Sequence, residues 1–169
     1  NGCSATATVT ILQPPPLITG ISSGTIACNG GITTATVTAS GGTPGYQYAW
    51  NTSPVQTSAT ATGLTQGNYT VTITDANGCP STRSVTISQP NAINVSATSS
   101  GTNCGPTSIG TASANAGGGT SPYTYAWSNG QTTSTITGLS AGTYSILVTD
   151  ANGCSSASST TITNSVQPI

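Results

Sequence analysis

Five thiols, two carboxylates and one guanidinium are the only side chains in this 169-residue sequence with strong chemistry to offer. They are Cys3, Cys28, Cys79, Cys104 and Cys154, then Asp75 and Asp150, then Arg83; there is no His, Glu or Lys. A thiol or hydroxyl nucleophile needs a neighbouring base, and the sequence supplies none of the usual ones. The two aspartates stand at equivalent places in two copies of one motif, so they are not a catalytic carboxylate pair. Enzymatic activity and a bound cofactor are therefore not expected.

Each aspartate opens the string D-A-N-G-C, at residues 75–79 and 150–154. An Asp and an Asn two apart before a Gly resemble the start of a calcium loop. Such a loop needs further oxygen ligands and a closing bidentate Glu, whereas here Cys and Pro or Ser follow. The alternative is a tight turn, in which Asp75 and Asp150 accept backbone N–H bonds while Asn77-Gly78 and Asn152-Gly153 supply the reversal. We expect the turn and no metal.

The cysteines keep a period. Cys3, Cys79 and Cys154 are spaced by 76 and 75 residues, and Cys28 and Cys104 by 76, so each full period holds one early and one late cysteine. Repeat symmetry predicts disulfides Cys28–Cys79 and Cys104–Cys154, with Cys3 left to an early cysteine of an upstream repeat. Five cysteines admit other pairings, and buried free thiols are the alternative. Closing a loop of about 50 residues would contribute on the order of 4 kcal/mol in the chain-entropy model, much of the stability of a small domain. Disulfides of this kind imply an oxidising, extracellular or cell-surface setting.

The elements that must position these residues are strands. Thr, Ser, Val, Ile and Ala dominate, and the charged fraction is 2%. Residues 41–79 and 118–154 share the blocks GGT, Y-x-Y-A-W, T-G-L, G-x-Y and TDANGC, so one module occurs twice. Period-two alternation marks strands at 17–21, 33–39, 46–50, 68–74 and 84–87, and again around Ile93 and Val95, Ala112 and Ala114, Tyr123 to Trp127, and Tyr144 to Val148. Trp50, Trp127, Tyr69 and Tyr144 are the expected core anchors. An exposed aromatic platform for sugars is the alternative for the tryptophans.

The boundaries that follow are 1–12 as the closing strand of an upstream repeat, 13–88 and 89–166 as two β-sandwich repeats, and 167–169 as the start of another. The opening "NGCSATATVTI" matches 77–87 and 152–162, which is why it reads as the end of a module. "LQPPPL", "SQPNAI" and "VQPI" form short proline-bearing joints.

A net charge of −1 cannot build a phosphate-binding face, so nucleic acid is not an expected partner. No apolar run approaches the ~18 residues of a spanning helix, and the window holds no signal-peptide pattern. Sequons at Asn51, Asn68 and Asn94 are candidate glycosylation sites, although a Ser/Thr-rich chain generates such triplets by chance. A surface of hydroxyls and amides carries little like-charge repulsion, which suits packing of copies.

The ordered blocks GGT-x-x-Y-x-Y-A-W, T-G-L-x-x-G-x-Y and V/I-T-D-A-N-G-C resemble the SprB-type repeat of Bacteroidetes cell-surface proteins. The resemblance covers residues 13–166, and 1–11 fits that repeat's last strand. It implies tandem immunoglobulin-like β-sandwich modules in a large secreted adhesin, exported by the type IX system and displayed as surface filaments, some used in gliding. The expected role is a structural stalk or filament segment, with copies of itself or neighbouring repeats as partners. The rival is an extracellular carbohydrate-binding module with surface glycans as ligand, and a third option is donation of residues 4–11 to a neighbour's sheet.

Overall fold

The structure, a computed structural model, describes residues 2–101 and 109–163. Every regular element among them is a strand. The chain forms two compact units, one of Asn1–Gly24 with Ile32–Ile87 and one of Thr25–Gly31 with Ser88–Ile169.

The first unit contains β1 (Ile18–Ser23), β2 (Thr33–Ser40), β3 (Gln47–Trp50), β4 (Thr60–Leu64), β5 (Gly67–Thr74) and β6 (Pro80–Ile87). They build two antiparallel three-stranded sheets, in the orders β1-β2-β4 and β3-β5-β6. Along the strands the alternation anticipated from sequence decides which side chains face inward. Ala35, Val37, Ala61, Leu64, Val71, Ile73 and Ile87 are buried, and the threonines between them stay at the surface or half-buried. Trp50 is 1% exposed, stands opposite Val71 in the ladder, and donates its indole N–H to Ser58 O at 2.9 Å. That bond lets the largest side chain be buried without an orphaned donor. Where β6 meets β1, Arg83 Nε donates to Thr19 O at 2.9 Å and the hydroxyls of Thr19 and Ser81 lie 3.2 Å apart.

The second unit repeats this plan with β7 (Asn94–Ser100), β8 (Gly110–Gly117), β9 (Thr124–Trp127), β10 (Thr135–Leu139), β11 (Gly142–Thr149) and β12 (Ser155–Ile162). Its sheets run β7-β8-β10 and β9-β11-β12. Trp127, Ile136, Leu139, Ile146, Val148 and Ile162 form its core with Ala112 and Ala114. Trp127 is 4% exposed, and its indole N–H reaches Thr133 O at 2.9 Å.

In each unit the order is that of an immunoglobulin-like sandwich, A-B-E on one sheet and C-F-G on the other, with the tryptophan on strand C. Tyr69 and Tyr144, expected as core anchors, are half-buried instead. Each sits near the start of the F strand and donates its hydroxyl to the carbonyl four residues upstream, Thr65 O and Ser140 O, both at 3.2 Å. The ring covers the core edge while its polar tip fixes the corner, as the tyrosine corner of such domains does.

Sequence alternation did not mark β4 or β10. In "TATGL" and "TITGL" only two apolar side chains point inward, and Gly63 and Gly138 at φ +67° and +74° break the period by shifting the register against β2 and β8. Residues 2–17 lie in no strand, and Val9 and Ile11 are 82% and 88% exposed. Cys104 and residues 164–169 lie outside the described residues.

Candidate functional site

The D-A-N-G-C strings are the places where chemistry-bearing residues converge. In the first unit β5 ends at Thr74, and Asp75 begins a turn that leads into β6. The Asp75 carboxylate is 5% exposed. Its Oδ1 accepts the N–H groups of Asn77 at 3.0 Å and Cys79 at 2.8 Å, and its Oδ2 accepts that of Thr43 at 2.9 Å. The turn closes through Gly78 N–H to Asp75 O at 2.9 Å and Asp75 N–H to Cys79 O at 3.1 Å. Asn77 Nδ2 donates to Thr43 Oγ1 at 2.7 Å. The second glycine and the threonine of the GGT block serve this carboxylate. Gly42 sits at φ +58°, and a Cβ there would lie 2.8 Å from Asp75 Oδ2, so only glycine lets Thr43 N–H approach.

The second unit reproduces the arrangement around Asp150, also 5% exposed. Its carboxylate accepts N–H groups from Asn152, Cys154 and Thr120, each at 2.9 Å. Thr43 N–H, then that of Cys79, holds the Asp75 carboxyl below its ordinary value, against an opposing push from burial. For Asp150, burial is the largest single influence and pushes its carboxyl up, but the N–H groups of Thr120, Cys154, Asn152 and Gly153 together outweigh it and leave it lowered too. The carboxylate oxygens are thus committed to the backbone. This is the geometry of the turn rather than of a calcium loop.

The disulfide differs from the expectation. Cys28 is bonded to Cys154, with Cα atoms 5.7 Å apart and 126 residues of separation, so neither Cys28–Cys79 nor Cys104–Cys154 forms. Cys3 and Cys79 are free and exposed. The reason lies in the loop carrying Cys28. Thr25–Gly31 joins β1 to β2 but belongs to the second unit, where Ile26 is buried. Its Ala27 O accepts from Asn152 Nδ2 at 3.1 Å, Asn29 Nδ2 donates to Pro90 O at 3.1 Å, and Gly30 N–H donates to Gln89 Oε1 at 2.8 Å. Loop-closure entropy barely discriminates between the two partners. Lengthening the loop from 51 to 126 residues costs about 0.8 kcal/mol, less than a single well-made hydrogen bond can return. Periodicity identified which cysteines are equivalent, but it carried no information about which period supplies the partner.

The bonded cysteine sits in a cleft of about 300 Å³ lined by Cys28, Asn29, Pro90, Asn91, Asp150 and Cys154, among others. The first unit has a cleft of about 260 Å³ at the equivalent place, lined by Gln13, Pro14, Asp75, Asn77 and Cys79 among others. Burial of both tryptophans removes them as a sugar platform. Asn51, Asn68 and Asn94 are exposed, but Asn51 Oδ1 accepts Thr70 N–H at 2.9 Å and Asn68 Oδ1 accepts the Thr86 hydroxyl at 2.8 Å.

No protein-family model matches the chain, and no curated protein matches it. Among solved structures it is similar to one described as the structural basis for Dscam isoform specificity, at 13% identity and a TM-score of 0.34. That match covers 91% of this chain and 47% of the other, so this chain spans about half of it. It is also similar to the amphioxus IgVJ-C2 molecule, at 13% identity and a TM-score of 0.36, covering 86% and 96% of the two chains.

Proposed function

We propose that this chain is a structural segment of a secreted bacterial cell-surface adhesin, a stalk or filament built from tandem immunoglobulin-like modules. The observation that carries the reading is that a loop between two strands of the first unit is covalently held within the second, by Cys28–Cys154. A link of this kind supports a chain whose modules are meant to stay in series, and its chemistry suits an oxidising compartment outside the cytoplasm.

Two further features favour a structural role. Exposed strand faces are laced with hydroxyl pairs in place of ion pairs, such as Thr70 with Ser84 at 3.0 Å, Ser100 with Thr111 at 2.7 Å and Thr143 with Thr161 at 3.1 Å. Contacts of this type are nearly indifferent to salt, and the surface has little charge with which to repel a neighbour. The polar groups best placed for chemistry, the buried aspartates, are spent on holding turns. The resemblance of the repeated blocks to SprB-type modules extends the proposal to type IX export and to surface attachment or gliding.

Immunogold labelling of intact producing cells with antibodies against this chain tests the reading. Label along surface filaments, lost after protease shaving, is the expected result. Label that appears only after the cells are permeabilised would overturn it.

A further inference from the structure

We infer that the cleft of the first unit containing Gln13, Pro14, Asn77 and Cys79 is an acceptor for the early-cysteine loop of another copy of this repeat, which it captures by a disulfide to Cys79. The inference rests on the filament reading for its setting, but its observations are local.

The second unit shows a loop held at the equivalent place, where its Cys28 and Asn29 form part of the cleft wall. Four groups hold the loop Thr25–Gly31 there: Gln89 Oε1 takes Gly30 N–H, Pro90 O takes Asn29 Nδ2, Asn152 Nδ2 gives to Ala27 O, and Cys154 closes the disulfide. The first unit carries the same four groups in the same order. Gln13-Pro14 precedes β1 as Gln89-Pro90 precedes β7, and Asn77 and Cys79 occupy the turn places of Asn152 and Cys154. All four line one cleft. The surrounding frame is matched too, since Gly42 N–H binds Pro15 O at 2.8 Å where Gly119 N–H binds Asn91 O at 2.8 Å. Asp75 fixes Asn77 and Cys79 by accepting their N–H groups, as Asp150 does for their counterparts. Cys79 is exposed and free.

The occupant follows from the same comparison. It is a segment of A-C-N-G type, offering one carbonyl, one Asn amide and one backbone N–H at the spacings of Ala27, Asn29 and Gly30. In the chain the early cysteine of one period bonds the late cysteine of the next, so Cys79 would receive the loop of the preceding repeat. Formation removes two protons and two electrons from the two thiols. A disulfide oxidant, of the kind used by thiol-disulfide oxidoreductases, accepts both and is itself reduced to two thiols.

The test uses the full chain and a synthetic peptide of residues 24–34, GTIACNGGITT, with its cysteine activated as a mixed disulfide to 2-nitro-5-thiobenzoate. The Cys79 thiolate attacks the peptide sulfur, the new S–S bond forms, and thionitrobenzoate leaves with the electron pair and is read by its absorbance. Mass mapping assigns the adduct to Cys79 or to Cys3. We expect coupling at Cys79 about tenfold faster than with a scrambled peptide, consistent with a few directed hydrogen bonds, and no preference at Cys3. Gln13→Ala, in a segment without regular structure, should reduce the preference while leaving the melt unchanged. Equal rates for the two peptides at Cys79 would overturn the inference and leave surface display untouched. A chain absent from the cell surface would sink the filament reading without altering the exchange preference.

Discussion

The two D-A-N-G-C turns share their carboxylate bonds and differ in what the second one holds, a disulfide at Cys154 and a hydrogen bond from Asn152 to Ala27 O. Around Asp75 and around Asp150 the three carboxylate hydrogen bonds agree within 0.1 Å, although Cys79 is free and Cys154 is bonded to Cys28. The carboxylate therefore shapes the turn, and the disulfide is added to a geometry that already stands without it. A buried acid accepting three N–H groups organises the cysteine before any oxidation occurs, which is what a site meant to capture a partner thiol requires.

The largest way to break the comparison is to remove the bond. Cys28→Ala with Cys154→Ala should cost about 5 kcal/mol in the chain-entropy model for a loop of 126 residues. Calorimetry should show the second unit losing its melting temperature while the first changes little; equal loss in both would show that the bond does more than staple the second. Trp50→Ala and Trp127→Ala come next, each about 3–5 kcal/mol by denaturant titration, because both leave a large cavity in a sandwich core. Their costs should match, and a much smaller value for either would mean that its unit collapses around the gap.

Acid should separate the turns from the rest of the molecule. Both aspartates are held below the ordinary value of 3.8, so the folded chain binds fewer protons than the unfolded one. Their stabilisation is complete above that pH and is lost as pH falls below it through the lowered folded-state values. The melt should be flat from about pH 5 to 8 and fall below about 4, and Asp75→Asn with Asp150→Asn should flatten the acid limb. A melt that falls equally in that variant would place the acid sensitivity elsewhere. The smallest expected effect is Tyr69→Phe or Tyr144→Phe, about 1 kcal/mol for one hydrogen bond at the corner. Chemical denaturation of the pair should give equal values if the two corners are equivalent.

Much of this was legible in the residues. Alternation along "TTATVTA" and "NYTVTIT" placed Val37, Val71 and Ile73 inward before any coordinates, because a half-buried strand must sort its side chains by face. The D-A-N-G-C string announced a turn, since Asp, Asn and Gly each suit one of its demands. β4 stayed hidden because Gly63 interrupts the alternation. The cysteine pairing was hidden for a different reason: equivalent positions recur each period, and hydrogen bonds of the loop to Gln89 and Pro90 and from Asn152, all distant in sequence from Cys28, choose among them.

The bond between Cys28 and Cys154 also reroutes tension. A pull on the two ends of the chain passes through β1, crosses at the sulfurs and leaves through β12, while β2 to β11 lie inside the closed loop and carry none of it. The taut path outside that loop is about 150 Å, against about 570 Å for the whole chain at roughly 3.4 Å per residue. Reduction would release the difference as hidden length, so the redox state of one bond sets how far this chain can be stretched.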